Sequence, residues 1–204
     1  MTRIKICGVT TESQALACAD AGADAIGVNF VASSVRRVDV PTAQAIVRAV
    51  GARVLVVGVV ANQTVLAMRA LRDATGVGCL QLHGDERADD VLALLPHAYK
   101  AIRVADDRDV RAAQAMPGDY VMVDAKVAGT LGGTGHAFEW GLVVELARTR
   151  RLVLAGGLTP ENVADAIRQV RPWSVDVASG VESAPGTKDL AKVRAFVDAV
   201  RSAG

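Results

Sequence analysis

An unbroken alternation of short β-rich apolar runs with helical stretches constrains this chain more than any other feature. Runs suited to strands fall at Arg3–Ile6, Ala25–Asn29, Arg53–Val60, Cys79–His83, Ala98–Ile102, Tyr120–Asp124, Leu152–Ala155 and Ser174–Ala178. Helical stretches follow them at Glu12–Ala21, Thr42–Val50, Val65–Ala74, Asp89–Leu95, Val110–Ala115, Phe138–Ala147, Glu161–Val170 and Lys188–Val200. Pro41 and Pro160 stand at helix starts, where the missing N–H costs nothing. Eight such pairs in 204 residues leave about 25 residues per unit, room for one strand, one helix and short loops. Continuous β/α alternation predicts a parallel sheet, and eight units predict an α/β fold: a single-domain (β/α)8 TIM barrel over residues 1–204 with few insertions. The longest loop, Ala125–Ala137, is rich in Gly and Thr and is a candidate lid or substrate loop.

Composition agrees and excludes several functions. Half the residues are apolar (51%) but only 3% are aromatic, so the core must come from Val, Ala, Leu and Ile, as in a sheet covered by helices. With 23 basic and 22 acidic residues and no basic block interleaved with aromatics, neither nucleic acid nor an anionic membrane is expected as a partner. Apolar stretches such as Val54–Ala61 fall short of a membrane span, and the chain opens on a strand in place of a signal peptide; a cytoplasmic protein is expected. Cys7, Cys18 and Cys79 are odd in number and lack metal-ligand spacing, so they read as free thiols, with no metal site. Oligomeric state is left open between monomer and homodimer.

In such a barrel the chemistry gathers where the C-terminal strand ends meet. Those ends carry Cys7, Asn29, Asn62, His83, Arg103, Asp124, Gly156-Gly157 and Asp176 with Ser179-Gly180. So many polar groups in one place need partners, and a small polar substrate supplies them. Alternation along Arg3-Ile4-Lys5-Ile6-Cys7 puts Lys5 and Cys7 on one face and the two isoleucines on the other. Likewise His83 and Gln81 should point into the barrel, opposite Leu80 and Leu82. His83 suits a packed core histidine as well as a ligand-binding one, and Asn62 suits a helix cap as well as a binding group. Lys5 and Asp176 should meet across neighbouring first and last strands, as structure that orients the region around Cys7.

The turns Gly156-Gly157 and Ser179-Gly180 follow the seventh and eighth strands. Glycine lets backbone N–H groups approach an anion closely, and a barrel's phosphate site commonly lies there. No comparable Gly-Gly turn occurs in the first half of the chain, so one phosphate is expected.

With these motifs in place the chain resembles one family, the phosphoribosylanthranilate isomerases of tryptophan biosynthesis. The resemblance rests on Lys5-Ile-Cys-Gly-Val-Thr10, Gly22 to Phe30, Ser34-Val-Arg-Arg-Val38, Val57 to Asn62, Leu80-Gln-Leu-His-Gly-Asp-Glu86, Gly132 to Trp140, Leu154 to Val163, and Val175 to Glu182 with Pro185-Gly-Thr-Lys-Asp189. These segments span almost the whole chain in order. The resemblance implies an Amadori rearrangement of N-(5-phosphoribosyl)anthranilate to 1-(2-carboxyphenylamino)-1-deoxyribulose 5-phosphate. It implies Asp124 as general acid, Cys7 as general base and Arg36 as the holder of the anthranilate carboxylate. It implies no cofactor and no metal, because all electrons stay within the phosphosugar substrate. A thiol whose ordinary pKa is about 8.5 needs its thiolate stabilised for that role, which Lys5 or a nearby dipole can do. An aspartate at about 3.9 needs its pKa raised, and the apolar Val121-Met122-Val123 run and an anionic substrate push that way.

Two departures from the family pattern stand out. Val35 replaces a usual proline before Arg36, which predicts a looser loop, an Arg36 less firmly placed and an Arg37 able to share its job. Val60-Ala61 replaces the more familiar Phe-Val before Asn62. The nearest alternative is the histidine-pathway isomerase, which performs the same rearrangement on a substrate with two phosphates. It requires a second phosphate turn after strands three and four, where only Gly58 and Leu82-His83-Gly84 are present. A phosphate-ligand sensor, or a degenerate barrel kept for an interaction, is the non-enzyme alternative; such a protein could lose Cys7 or Asp124 and keep the Gly turns, yet both residues are present.

Overall fold

The computed structural model describes residues 1–125, Ala125 by its backbone alone, and residues 140–203. Eight strands close into a barrel in sequence order: β1 (Arg3–Cys7), β2 (Ala25–Asn29), β3 (Leu55–Val60), β4 (Cys79–Leu82), β5 (Ala98–Val104), β6 (Tyr120–Ala125), β7 (Arg151–Ala155) and β8 (Ser174–Val177). All neighbours are parallel, and the ring closes with Lys5 of β1 level with Asp176 of β8. The intervening helices are α1 (Glu12–Ala21), α2 (Val40–Val50), α3 (Val65–Thr75), α4 (Ala88–Leu94), α5 (Asp107–Ala115), α6 (Val144–Thr149), α7 (Val163–Val170) and α8 (Leu190–Ala203). None is long and apolar enough to cross a membrane.

The pleat explains the two layers of packing. Ile4 and Ile6, Leu80 and Leu82, Val121 and Val123, Leu152 and Leu154, and Val175 and Val177 face outward into the core shared with the helices. Alternate residues face inward, where Val57, Tyr99, Ala101, Met122, Val153 and Ala155 form a second, smaller cluster inside the barrel. A parallel sheet buried on both faces leaves its strand-borne polar groups only the mouth and the barrel axis to occupy.

Several boundaries differ from the expectations above, each for a local reason. β3 begins at Leu55, because Arg53 closes a turn onto the Val50 carbonyl and reaches Asp20 with its guanidinium. α5 begins at Asp107, three residues early, because the Asp106 carboxylate accepts from the N–H groups of Arg108 and Asp109. α7 begins at Val163, since Thr159–Asn162 form a turn in which Asn162 Oδ1 accepts from Thr159 N–H. α8 begins at Leu190: Thr187–Lys188 (β10) pair antiparallel with Glu182–Ala184 (β9), and Asp189 caps the helix. In the sixth unit a 3₁₀ turn at Trp140–Val143 precedes α6. The predicted start of that helix at Phe138, the motif from Gly132 and the loop beyond Ala125 lie outside the described residues.

Candidate active site

At the C-terminal mouth a cavity of about 390 Å³ is lined by the ends of most strands and the loops after them. Cys7 and Asn29 are the last residues of β1 and β2, and Asp124 is the penultimate residue of β6. Gly156-Gly157 follow β7, and Ser179-Gly180 follow β8. All line this one cavity, together with Arg36, His83, Arg103, Gln81 and Asp176. Asn62 is the exception among the strand-end residues. It does not cap α3, whose cap is Thr64, and it does not reach the cavity. With φ of 55° it joins two loops, its Oδ1 accepting from Asp85 N–H at 2.7 Å.

A line of hydrogen bonds runs beneath the cavity and connects its two sides. Lys5 Nζ donates to Asp176 Oδ1 at 3.0 Å and to Gln81 Oε1 at 2.9 Å, and both of its partners are buried. The Tyr99 hydroxyl donates to the same Gln81 oxygen at 3.0 Å. With that oxygen already accepting twice, the Gln81 amide nitrogen donates to His83 Nδ1 at 2.8 Å. Neutral His83 therefore carries its proton on Nε2, which lies 3.3 Å from Asp124 Oδ2. The predicted inward pair of Lys5 and Asp176 is thus one end of a chain whose other end is Asp124. Gln81 is its hub, a role its inward face signalled without specifying.

Cys7 faces the cavity above Lys5. Burial pushes its thiol above the ordinary value, against the pull of Lys5 and Lys188 and with a further push from Asp176. The expectation that Lys5 stabilises the thiolate is met in direction only, because the lysine's charge is shared with Asp176 and burial wins. Cys18 and Cys79 are also pushed up by burial, each to about 11, and neither lines this cavity.

The arginine loop is firmer than the loss of a proline suggests. Arg36 donates from Nε to Glu182 Oε1 at 2.8 Å and from Nη2 to Glu182 Oε2 at 2.6 Å, while its own N–H donates to Ser34 Oγ. The fixing is done by a carboxylate from β9, leaving Nη1 and one Nη2 hydrogen for another anion. Lys188, wholly buried, donates to Glu182 Oε1 as well. Arg37 is exposed and does not line the cavity, so its sharing the task of Arg36 has no geometric support. Glu182, quoted above only as part of a motif, is the residue that sequence reasoning left without a task.

Across the mouth, Gly156 and Gly157 have φ of 93° and 66°. A Cβ at Gly180 would lie 2.0 Å from the Leu158 carbonyl oxygen, so the loop after β8 lies directly on the loop after β7. Ser179 and Gly180 open a 3₁₀ turn, and their N–H groups, like that of Gly157, find no acceptor among the described residues. Such bare donors at close range suit a phosphate.

Fold and site together define a class: (β/α)8-barrel enzymes that hold a small anionic substrate at the C-terminal mouth. Comparison narrows this. Residues 4–199 match the family model of N-(5'-phosphoribosyl)anthranilate (PRA) isomerase. The chain is 50% identical over 203 residues to the N-(5'-phosphoribosyl)anthranilate isomerase of Pseudomonas aeruginosa (strain LESB58), covering 98% of this chain and 95% of that protein. It superposes on the phosphoribosyl anthranilate isomerase of Thermotoga maritima with a TM-score of 0.90, at 36% identity and over 99% and 100% of the two chains. A phosphoribosyl anthranilate isomerase in complex with reduced 1-(o-carboxyphenylamino)-1-deoxyribulose 5-phosphate gives a TM-score of 0.88, at 33% identity and over 99% and 100% of the two chains. The chain belongs to the N-(5'-phosphoribosyl)anthranilate isomerase family, the isomerases of tryptophan biosynthesis.

Proposed function

We propose that this barrel carries out the Amadori rearrangement with Asp124 as general acid and Cys7 as general base. Asp124 protonates the ribose ring oxygen; the C1–O bond breaks, and the amine nitrogen's lone pair forms a C1=N Schiff base. Cys7, as thiolate, takes the C2 proton, and those electrons form the C1=C2 bond as the C=N pair returns to nitrogen. The enolamine then gains a proton at C1 and loses the one on its C2 hydroxyl, leaving the ketone. Electrons stay within the substrate, so the reaction asks for no redox cofactor.

The observation that carries this reading is the placement of Cys7 and Asp124 on one cavity, between a half-free guanidinium at Arg36 and bare N–H groups at Gly157 and Ser179-Gly180. Arg36 takes the anthranilate carboxylate and the glycine turns take the phosphate. Binding both ends holds C1 and C2 over the acid and base, converting remote contacts into orientation. His83 holds the Asp124 side chain through Nε2 and accepts from Gln81. Asp176 acts through Lys5.

The whole chain works as one barrel domain in the cytoplasm, as a monomer or a homodimer, on a small phosphosugar and not on nucleic acid or membranes. The test is direct: purified protein is mixed with freshly generated phosphoribosylanthranilate and loss of its fluorescence is followed. Turnover by wild type and its collapse in both Cys7→Ser and Asp124→Asn are expected. Full turnover in either variant overturns the assignment of that residue.

A further inference from the structure

The barrel carries a second anion cradle that it fills with its own side chain. In a closed ring of eight strands, β3 and β4 stand opposite β7 and β8. The loops after them repeat the features of the phosphate side. A residue of positive φ follows the odd strand, Asn62 at 55° where Gly157 has 66°. A glycine following the even strand lies hard against the preceding loop: a Cβ at Gly84 would sit 2.7 Å from Asn62 N, as one at Gly180 would sit 2.0 Å from Leu158 O.

The donors differ in one respect. On the β7–β8 side they face the cavity without acceptors among the described residues, whereas on the β3–β4 side a carboxylate takes them. Glu86 Oε1 accepts from Asn62 N–H at 2.7 Å, and Oε2 accepts from Gly84 N–H at 2.9 Å. Lys100 Nζ stands 3.2 Å from Oε2, itself anchored on the carbonyls of Leu82, Gly84 and Ala101. Two backbone donors from successive loops and a buried ammonium around one carboxylate form a binding site for a small oxyanion. The Glu86 side chain is only 2% exposed. Beside it a hollow of about 460 Å³, reached by Lys100, Gly84 and Asn62, shares His83 and Arg103 with the main cavity.

We propose that Glu86 is a built-in anion that occupies a latent second phosphate site, and that it restricts this mouth to substrates with a single phosphate. The inference rests on the reading of the β7–β8 turns as the working phosphate site. It makes Glu86 a specificity determinant without contact to the reacting atoms. Removing the carboxylate leaves two N–H groups without an acceptor and the Lys100 ammonium, still held on its three carbonyls, without a counter-charge; a free oxyanion then accepts from both N–H groups and neutralises that charge.

The test counts phosphates. Wild type and Glu86→Ala are titrated with inorganic phosphate by calorimetry and by 31P NMR, with formate as the smaller probe. One phosphate per wild-type chain and one more per Glu86→Ala chain are expected, together with a rise in Tm with phosphate that is larger in the variant. Glu86→Gln, which still fills the cradle, should add none. Should Glu86→Ala fail to fold in chloride, phosphate or formate should restore folding where equal ionic strength of chloride does not. Equal stoichiometry in wild type and a folded Glu86→Ala overturns the inference, as does a variant that no oxyanion rescues, or a wild type that already binds two. A wild type that binds none sinks the β7–β8 reading, whereas the Glu86 inference stands or falls on the increment.

Discussion

Arg36 and Glu182 are 146 residues apart in the chain, yet they share two parallel hydrogen bonds at the rim of the cavity. Lys188 shares the same carboxylate, so three elements that follow β2 and β8 are locked at one point. Glu182→Gln should break one of the two bonds to Arg36 and raise KM for the substrate several-fold with kcat less affected. Arg36→Met should raise KM by about tenfold or more and leave inorganic phosphate binding intact. Unchanged KM in Arg36→Met, measured by steady-state kinetics, sends the carboxylate contact elsewhere.

The same pair sets an acid limit. Burial pushes the Glu182 carboxyl up, but hydrogen bonds from Arg36 and Lys188 outweigh it and hold the group below its ordinary value of 4.5. A depressed carboxyl contributes stability that is fully present above its unfolded value and is lost as pH falls through the folded one. Urea melts between pH 6 and 3 should therefore show a loss of stability that is smaller in Glu182→Gln. Parallel losses in both proteins would place the acid sensitivity in other carboxylates.

Cys7 sets the alkaline behaviour. A base must be deprotonated, and burial holds this thiol above its ordinary value, so kcat/KM should still be rising with pH on the alkaline side of neutrality. Cys7→Ser should lower kcat by at least about 10²-fold with the circular dichroism spectrum unchanged, whereas Cys18→Ser and Cys79→Ser change little. A plateau reached near neutral pH contradicts the burial argument.

For the acid, Asp124→Asn keeps the shape and removes the proton, so turnover should vanish while binding of a product analogue survives. His83→Phe should lower kcat more modestly and shift the pH profile, since His83 holds the Asp124 carboxylate through Nε2. A tenth or more of wild-type kcat in Asp124→Asn points to another acid.

Beneath the cavity, Lys5→Met strands Asp176 inside the barrel and should cost about 3–5 kcal/mol in equilibrium unfolding. Replacing both, as Lys5→Met with Asp176→Leu, should recover much of that loss while activity stays low. A loss below 1 kcal/mol in the single variant, on the order of an exposed pair, would show that the pair is not held dry.

The fold was legible because its two periods were. Arg3-Ile4-Lys5-Ile6-Cys7 reads out which side chains enter the barrel, and the structure places Lys5 within it and both isoleucines outside. What pattern alone does not report is pairing between distant loops. Neither Glu182 nor Glu86 looks different in sequence from an exposed acid; the first is claimed by Arg36 and Lys188, the second by two backbone N–H groups. The β9–β10 hairpin escaped for a related reason: two or three residues per strand are too few to show an alternation.

The chain of contacts from Asp176 through Lys5, Gln81 and His83 to Asp124 acts as a cross-brace over the barrel's width. Its three inner members, Lys5, Gln81 and His83, are each gripped from two sides, so none of them can be exchanged for a differently shaped residue without unseating its neighbours. Anyone wishing to retrain this barrel on a new sugar would do well to leave that brace alone and edit the rim. The loops after β2 and β3, and the loop after β4 beyond His83, can be rewritten there without disturbing the frame that sets the spacing of acid and base.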